Sequence, residues 1–172
     1  IITPLKDRFG SQIRTHYPLE VETEIAIMRQ ESRAASIGDV TVTMPAFMER
    51  IIATFSHQAR SSSHVNQRSG VSVRLSVSNF EILSANAVRR ALRAGEKDVA
   101  PRVSDLDALA SSTGGKVEIE SLEEGRESLI LQQLISAAVL TVYKELAPGS
   151  MMGEVITAFE TGTIAHVGED IP

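Results

Sequence analysis

Cysteine is absent from the chain. That excludes disulfides, thiolate metal ligands and cysteine nucleophiles, and it fits a reducing compartment such as the cytoplasm. Long apolar runs are missing too: none approaches the ~20 residues that a membrane span needs, and residues 1–20 lack the basic start and apolar middle of a secretion signal. Positive charge is scarce. The 17 Lys and Arg face 22 Asp and Glu, a formal net charge of −5, whereas a dedicated nucleic-acid binder needs a clustered excess of cations against phosphate. Neither a membrane nor a nucleic acid is an expected partner.

What is there suffices for a core. A 172-residue chain with 42% hydrophobic residues can bury one domain or two small ones. The sequence starts at Ile1 without a methionine and runs into Ile2 with no cap or turn before it, as expected of a fragment or processed product. A strand-like start of this kind leaves an unpaired edge unless something upstream completes it.

Periodicity predicts a mainly helical protein with short extended segments. Residues 1–18, punctuated by Pro4 and Pro18, read as extended or loop structure. Val21, Ile25 and Met28 at helical spacing, with Glu20, Glu22 and Glu24 crowding the first turn, predict a helix over about 20–36 that Gly38 ends. Val40–Thr43 reads as a short extended link. Thr43 as N-cap ahead of Pro45, followed by Phe47, Ile51 and Phe55, predicts a second helix over about 44–60. The polar stretch 61–70 reads as a loop. Val77, Phe80, Ala87 and Ala91 mark a third helix over about 72–93, stopped by Gly95, with Arg89, Arg90 and Arg93 near its C-terminus where the helix dipole favours cations.

Beyond it, Asp105–Leu109 suggests a short helix. Thr113-Gly114-Gly115 is a break, and Lys116–Glu120 an extended linker, so 96–120 is the candidate subdomain boundary. Leu131, Ile135, Ala138, Val142 and Leu146 stripe a helix over about 124–146, widened by Leu134, Val139 and Leu140. So broad an apolar face implies a well-covered central helix or an oligomer contact. Met152, Val155 and Phe159 suggest a last short helix.

Most chemical motifs fail on inspection. Gly114-Gly115-Lys116 lacks the spaced glycine and the following Ser or Thr of a phosphate loop, because those positions hold Ala110 and Val117. His16, His57, His64 and His166 show no metal-ligand spacing, so a surface or structural role is expected for each and no metal site is assigned. No serine sits in a nucleophile elbow, those at 61–63 beside His64 included.

One constellation changes the reading. Asp7-Arg8-Phe9-Gly10 follows Pro4-Leu5-Lys6; taken alone, Arg8 could simply pair with Asp7 or a helix end. After it come a helix carrying Glu24-Ile25-Ala26-Ile27-Met28-Arg29-Gln30-Glu31, a second helix beginning near Pro45, and Gly70-Val71-Ser72-Val73-Arg74-Leu75 opening a third.

In order and spacing, residues 1–100 resemble the AAA+ ATPases of the magnesium-chelatase and MoxR-type group. There a Leu-x-Asp-Arg-Phe element closes the ATPase core and a helical lid follows. The resemblance implies that Arg8 is the arginine finger, reaching the terminal phosphate of ATP held by a neighbouring subunit. It also implies that Arg74 is sensor 2, a cofactor-binding arginine on the phosphates of its own subunit's ATP. Arginine suits both tasks, being always charged and able to grip two oxygens. The family often has Ala and Pro where this chain has Val71 and Val73.

The implied organisation is the end of the AAA+ core with its finger loop at 1–18, the helical lid at 19–100 and a C-terminal helical extension at 101–172. ATP and Mg2+ belong to the full-length protein, in a ring of six subunits acting on a partner protein. The phosphate loop and the acidic magnesium-binding strand precede the finger in these enzymes and do not occur here, so the chain alone is expected to be inactive. The alternative is a free-standing helical interaction module. A helix-turn-helix use of Arg89, Arg90 and Arg93 is disfavoured by net charge.

Overall fold

The computed structural model describes residues 10, 11, 13–33, 38–66, 70–119, 125–147 and 149–166. Apolar stripes organise them into six α-helices, one 3-10 helix and one pair of very short strands. Helix α1, Val21–Glu31, turns Met28 fully inward and leaves Ile25 half-buried. It ends where Ser32 adopts an extended backbone, short of the predicted end. Gly38 does not cap it, but takes a left-handed φ of 60° in the turn before buried Val40.

Helix α2, Ala46–Ser61, starts later than expected. Pro45 occupies the N-cap position, and its carbonyl accepts from the Met48 and Glu49 amides. Thr43 instead donates its amide to the Val99 carbonyl at 2.9 Å. The buried stripe is Met48, Ile51, Ile52, Phe55 and Ala59, while Phe47 remains exposed. A four-residue rhythm starting at Phe47 drifts off the true face because an α-helix closes a turn in 3.6 residues. Helix α3, Arg74–Ala94, buries Leu75, Phe80, Leu83, Ala87, Val88 and Ala91, and Gly95 caps it in the left-handed region at φ 74°.

The expected extended link is half of a parallel pair. Strand β1, Thr41–Val42, lies beside β2, Asp98–Val99, with Thr41 opposite Asp98 and Val42 opposite Val99. The pair closes over the end of α3, where Val40 and Val99 pack with Ala87, Val88 and Ala91. Next come the 3-10 helix Val103–Ala108 and helix α4, Leu109–Thr113, both packed on α3. The loop after α2 is less open than its polarity suggested: Val65 is buried, and it bridges antiparallel to Ile119.

Helix α5, Glu127–Leu146, lies along α2 and buries Ile130, Leu131, Ile135, Ala138 and Val142. These side chains join Met28, Met48, Phe55, Leu75 and Leu83 in one apolar core. Its 20 residues are by length and composition apolar enough to cross a membrane, a limit that inspection for unbroken apolar runs did not register. Its buried face packs against α2, and 22% of the apolar stretch within it is buried inside the fold. Helix α6, Gly149–Glu160, leaves Val155, Ile156 and Phe159 about half exposed.

Candidate functional site

Of the two predicted site arginines, Arg74 falls within the described residues, at the end of the tightly held turn Gly70–Arg74. Gly70 has φ 68°, and a Cβ there would collide with the Tyr17 hydroxyl. Val71 and Leu75 are buried to 1% exposure and pin the turn to the core from both ends. Ser72 braces the entry to α3, whose N-cap is Val73: the Ser72 hydroxyl accepts the Arg74 amide at 3.3 Å and its carbonyl accepts the Leu75 amide at 2.9 Å. Arg74 is thereby the first residue of α3 and is exposed. Its guanidinium makes no ion pair or hydrogen bond among the described residues. Arg8 lies outside the described residues.

Directly beneath this turn sits an ionic cluster that the sequence reading passed over. Glu24, read there as one of three acids favoured by the helix dipole, has no solvent exposure. Arg60, at the end of α2, donates to it through both terminal nitrogens, Nη1 to Oε2 at 2.5 Å and Nη2 to Oε1 at 2.7 Å. Ser76 from α3 donates to Oε1 at 2.5 Å. Since that spends the Ser76 proton, Ser56, whose Oγ is 2.7 Å from Ser76 Oγ, is the donor to it. His57 Nε2 lies 2.9 Å from Glu24 Oε2, close enough for a charge contact but not aligned as a hydrogen bond.

Arg60 also reaches beyond Glu24. Its Nε donates to the Val71 carbonyl at 2.9 Å, and the guanidinium lies over the Tyr17 ring, 5.0 Å from the centroid. A bidentate, charge-assisted pair of this kind holds a carboxylate and a guanidinium coplanar. The signal was present in sequence. Glu24 stands in the same stripe as Val21 and Met28, and Arg60 continues the Ile52 and Ser56 row, so two opposite charges interrupt two apolar faces. Nothing in spacing alone shows that the two faces meet.

Of the three arginines near the C-terminal end of α3, Arg89, Arg90 and Arg93, the first two have side-chain partners within the fold. Arg90 donates to Asp105 at 3.0 Å and to the Ala100 carbonyl at 2.9 Å, and Arg89 donates to Asn86 at 2.5 Å. Asp105 also accepts from Asn86 and from the Arg102 amide, fixing the 3-10 helix against α3. Arg89 and Arg90 thus each have a partner within the fold. A separate apolar cleft of about 340 Å³ lies between the 3-10 helix and α5, lined among others by Val103, Leu106, Ile135, Val139 and Tyr143.

No family model, curated protein or solved structure matches the chain.

Proposed function

We propose that the chain is the lid-bearing, C-terminal part of a cytoplasmic AAA+ ATPase of the magnesium-chelatase and MoxR-type group. In this reading α1, α2 and α3 form the lid, and Arg74 acts as sensor 2 on the phosphates of bound ATP. The observation that carries the reading is the state of Arg74. It is an exposed guanidinium with no internal partner among the described residues, standing at a helix start on a turn fixed by Gly70, Val71, Ser72 and Leu75. A cation left unpaired on a rigid base is suited to an anionic ligand.

Arg8 is the finger that serves the neighbouring subunit's ATP, in a ring of six that remodels or drives a partner protein. ATP and Mg2+ require the upstream phosphate loop and acidic strand; of the described residues, Arg74 is the one that would touch the nucleotide. The test is steady-state kinetics of the ATPase that carries this chain behind its nucleotide-binding core. Arg74→Ala raises KM for ATP and lowers kcat, together costing roughly 10- to 100-fold in kcat/KM, the size of a lost hydrogen bond to a charged group. Unchanged KM and kcat would remove sensor 2 from the assignment.

A second reading, a helical interaction module without an ATPase role, is favoured by one observation, the apolar cleft beside exposed Leu140 and Tyr143. The two readings diverge on Arg74, which has no role in the second.

A further inference from the structure

We propose that Arg60 is the positioning residue that sets where Arg74 stands, by tying the segment through Tyr17 and the Gly70–Arg74 turn to a single guanidinium. The proposal rests on the phosphate-contact reading of Arg74 for its function, and on geometry for the tie itself.

An ion pair needed only to neutralise Glu24 would be complete with the two terminal nitrogens of Arg60. This guanidinium does more. Its third nitrogen holds the Val71 carbonyl, and its face carries the Tyr17 ring. Three chain segments therefore use three different parts of one planar group: α1 through Glu24, the turn through Val71, and the stretch before α1 through Tyr17. The turn is gripped from both sides, since Tyr17 also closes off the space beside Gly70.

From Val71 to Arg74 the chain has little freedom. Ser72 accepts the Arg74 and Leu75 amides, and Val77 donates back to the Val73 carbonyl at 3.2 Å. The Arg74 side chain is not anchored by any described neighbour, so its point of origin is set by this backbone and by what holds it. Displacing Arg60, or withdrawing Tyr17 from it, moves the base on which Arg74 is mounted.

The experiment compares Arg60→Lys, Tyr17→Ala, Tyr17→Phe and Arg74→Ala. Lysine keeps a positive charge against Glu24 but lacks the planar fork, the Nε–H for Val71 and the flat face for Tyr17. In the chain as it stands, amide hydrogen exchange at Leu75 and Val77 should accelerate roughly tenfold in Arg60→Lys and Tyr17→Ala, with mid-helix amides of α2 and α5 unchanged. Tyr17→Phe, which keeps the ring, should leave the rates as they are. Unchanged exchange at Leu75 and Val77, or equal acceleration throughout the core as general destabilisation gives, would overturn the proposal.

In the ATPase, Arg60→Lys should raise KM for ATP, and should add nothing on an Arg74→Ala background. If Arg74→Ala raises KM and Arg60→Lys does not, the positioning role is wrong while the phosphate reading stands. If Arg74→Ala leaves KM unchanged, the phosphate reading fails, and with it the functional half of the proposal; the exchange rates still decide whether Arg60 fixes the turn.

Discussion

A carboxylate without solvent exposure survives in a core only if its lost hydration is replaced, and Glu24 achieves this with Arg60 and Ser76. Such pairs are poor sources of net stability compared with well-packed apolar residues, yet breaking one from a single side is expensive because the survivor is left charged and dry. Glu24→Ala should therefore destabilise the fold by about 3–5 kcal/mol in chemical denaturation. Changing both partners, Glu24→Leu with Arg60→Met, should recover part of that loss, since no unpaired charge remains. Strictly additive effects of the two substitutions would mean that the pair is not energetically coupled. At this scale the sequence was half legible. The start of α3 near Arg74 could be placed from the sequence, whereas Glu24 looked like an ordinary helix-start charge and nothing marked Arg60 as its partner until the packing of α1 on α2 brought them together.

Helices were the legible elements because a buried stripe repeats over several turns, as with Ile52, Phe55 and Ala59 or Leu131, Ile135, Ala138 and Val142. The extended segment at β1 was legible but its pairing with β2 was not, since two residues each carry no alternation and the parallel partner lies far along the chain. Nor could periodicity foresee the ionic clip that joins three helices. Arg50 of α2 donates to Glu22 of α1 at 2.7 Å and to Glu145 of α5 at 2.6 Å. The hydrogen bond from Arg50, then one from the backbone, holds the Glu22 carboxyl below the usual glutamate range. A carboxyl depressed in the folded state stabilises the fold above its unfolded value, and that contribution is lost as pH falls through the folded one. Arg50 itself is raised, first by Glu145 and then by Glu22, so its own contribution fades only at pH beyond the arginine range. Denaturation midpoints followed from neutral pH into the acid side of the glutamate range should fall for the wild type. Glu22→Gln should flatten part of that slope, by a small amount because the pair is solvent-exposed. An identical slope in the variant would show that the clip is energetically silent.

Across the whole molecule, the main core does not respect the order of the chain. Met28 of α1, Phe55 of α2 and Leu83 of α3 share it with Leu131, Ile135, Ala138 and Val142 of α5. Two further links cross from α2 to α5, the Arg50–Glu145 bond and the Gln58 donation to Thr141 at 3.1 Å. A bundle of α1, α2 and α3 that folded without α5 would have to leave the α2 side of this core in water. Cooperative unfolding is the consequence, because removing α5 exposes apolar surface that α1 and α3 also use. Leu131→Ala, at a site with 4% exposure, should lower stability by about 2–5 kcal/mol through lost burial and the cavity left behind. The loss should appear equally in every part of the fold. Thermal or denaturant unfolding followed by amide signals from α3 and, separately, from α5 should give one midpoint for both, displaced together by the substitution. If α5 melts first while α3 keeps the wild-type midpoint, residues before α5 form an independently stable unit and α5 is an attachment to it. A common shift would instead mean that α1, α2, α3 and α5 unfold as one cooperative unit, so that the packing around Arg60 and Glu24 is lost together with that of α5.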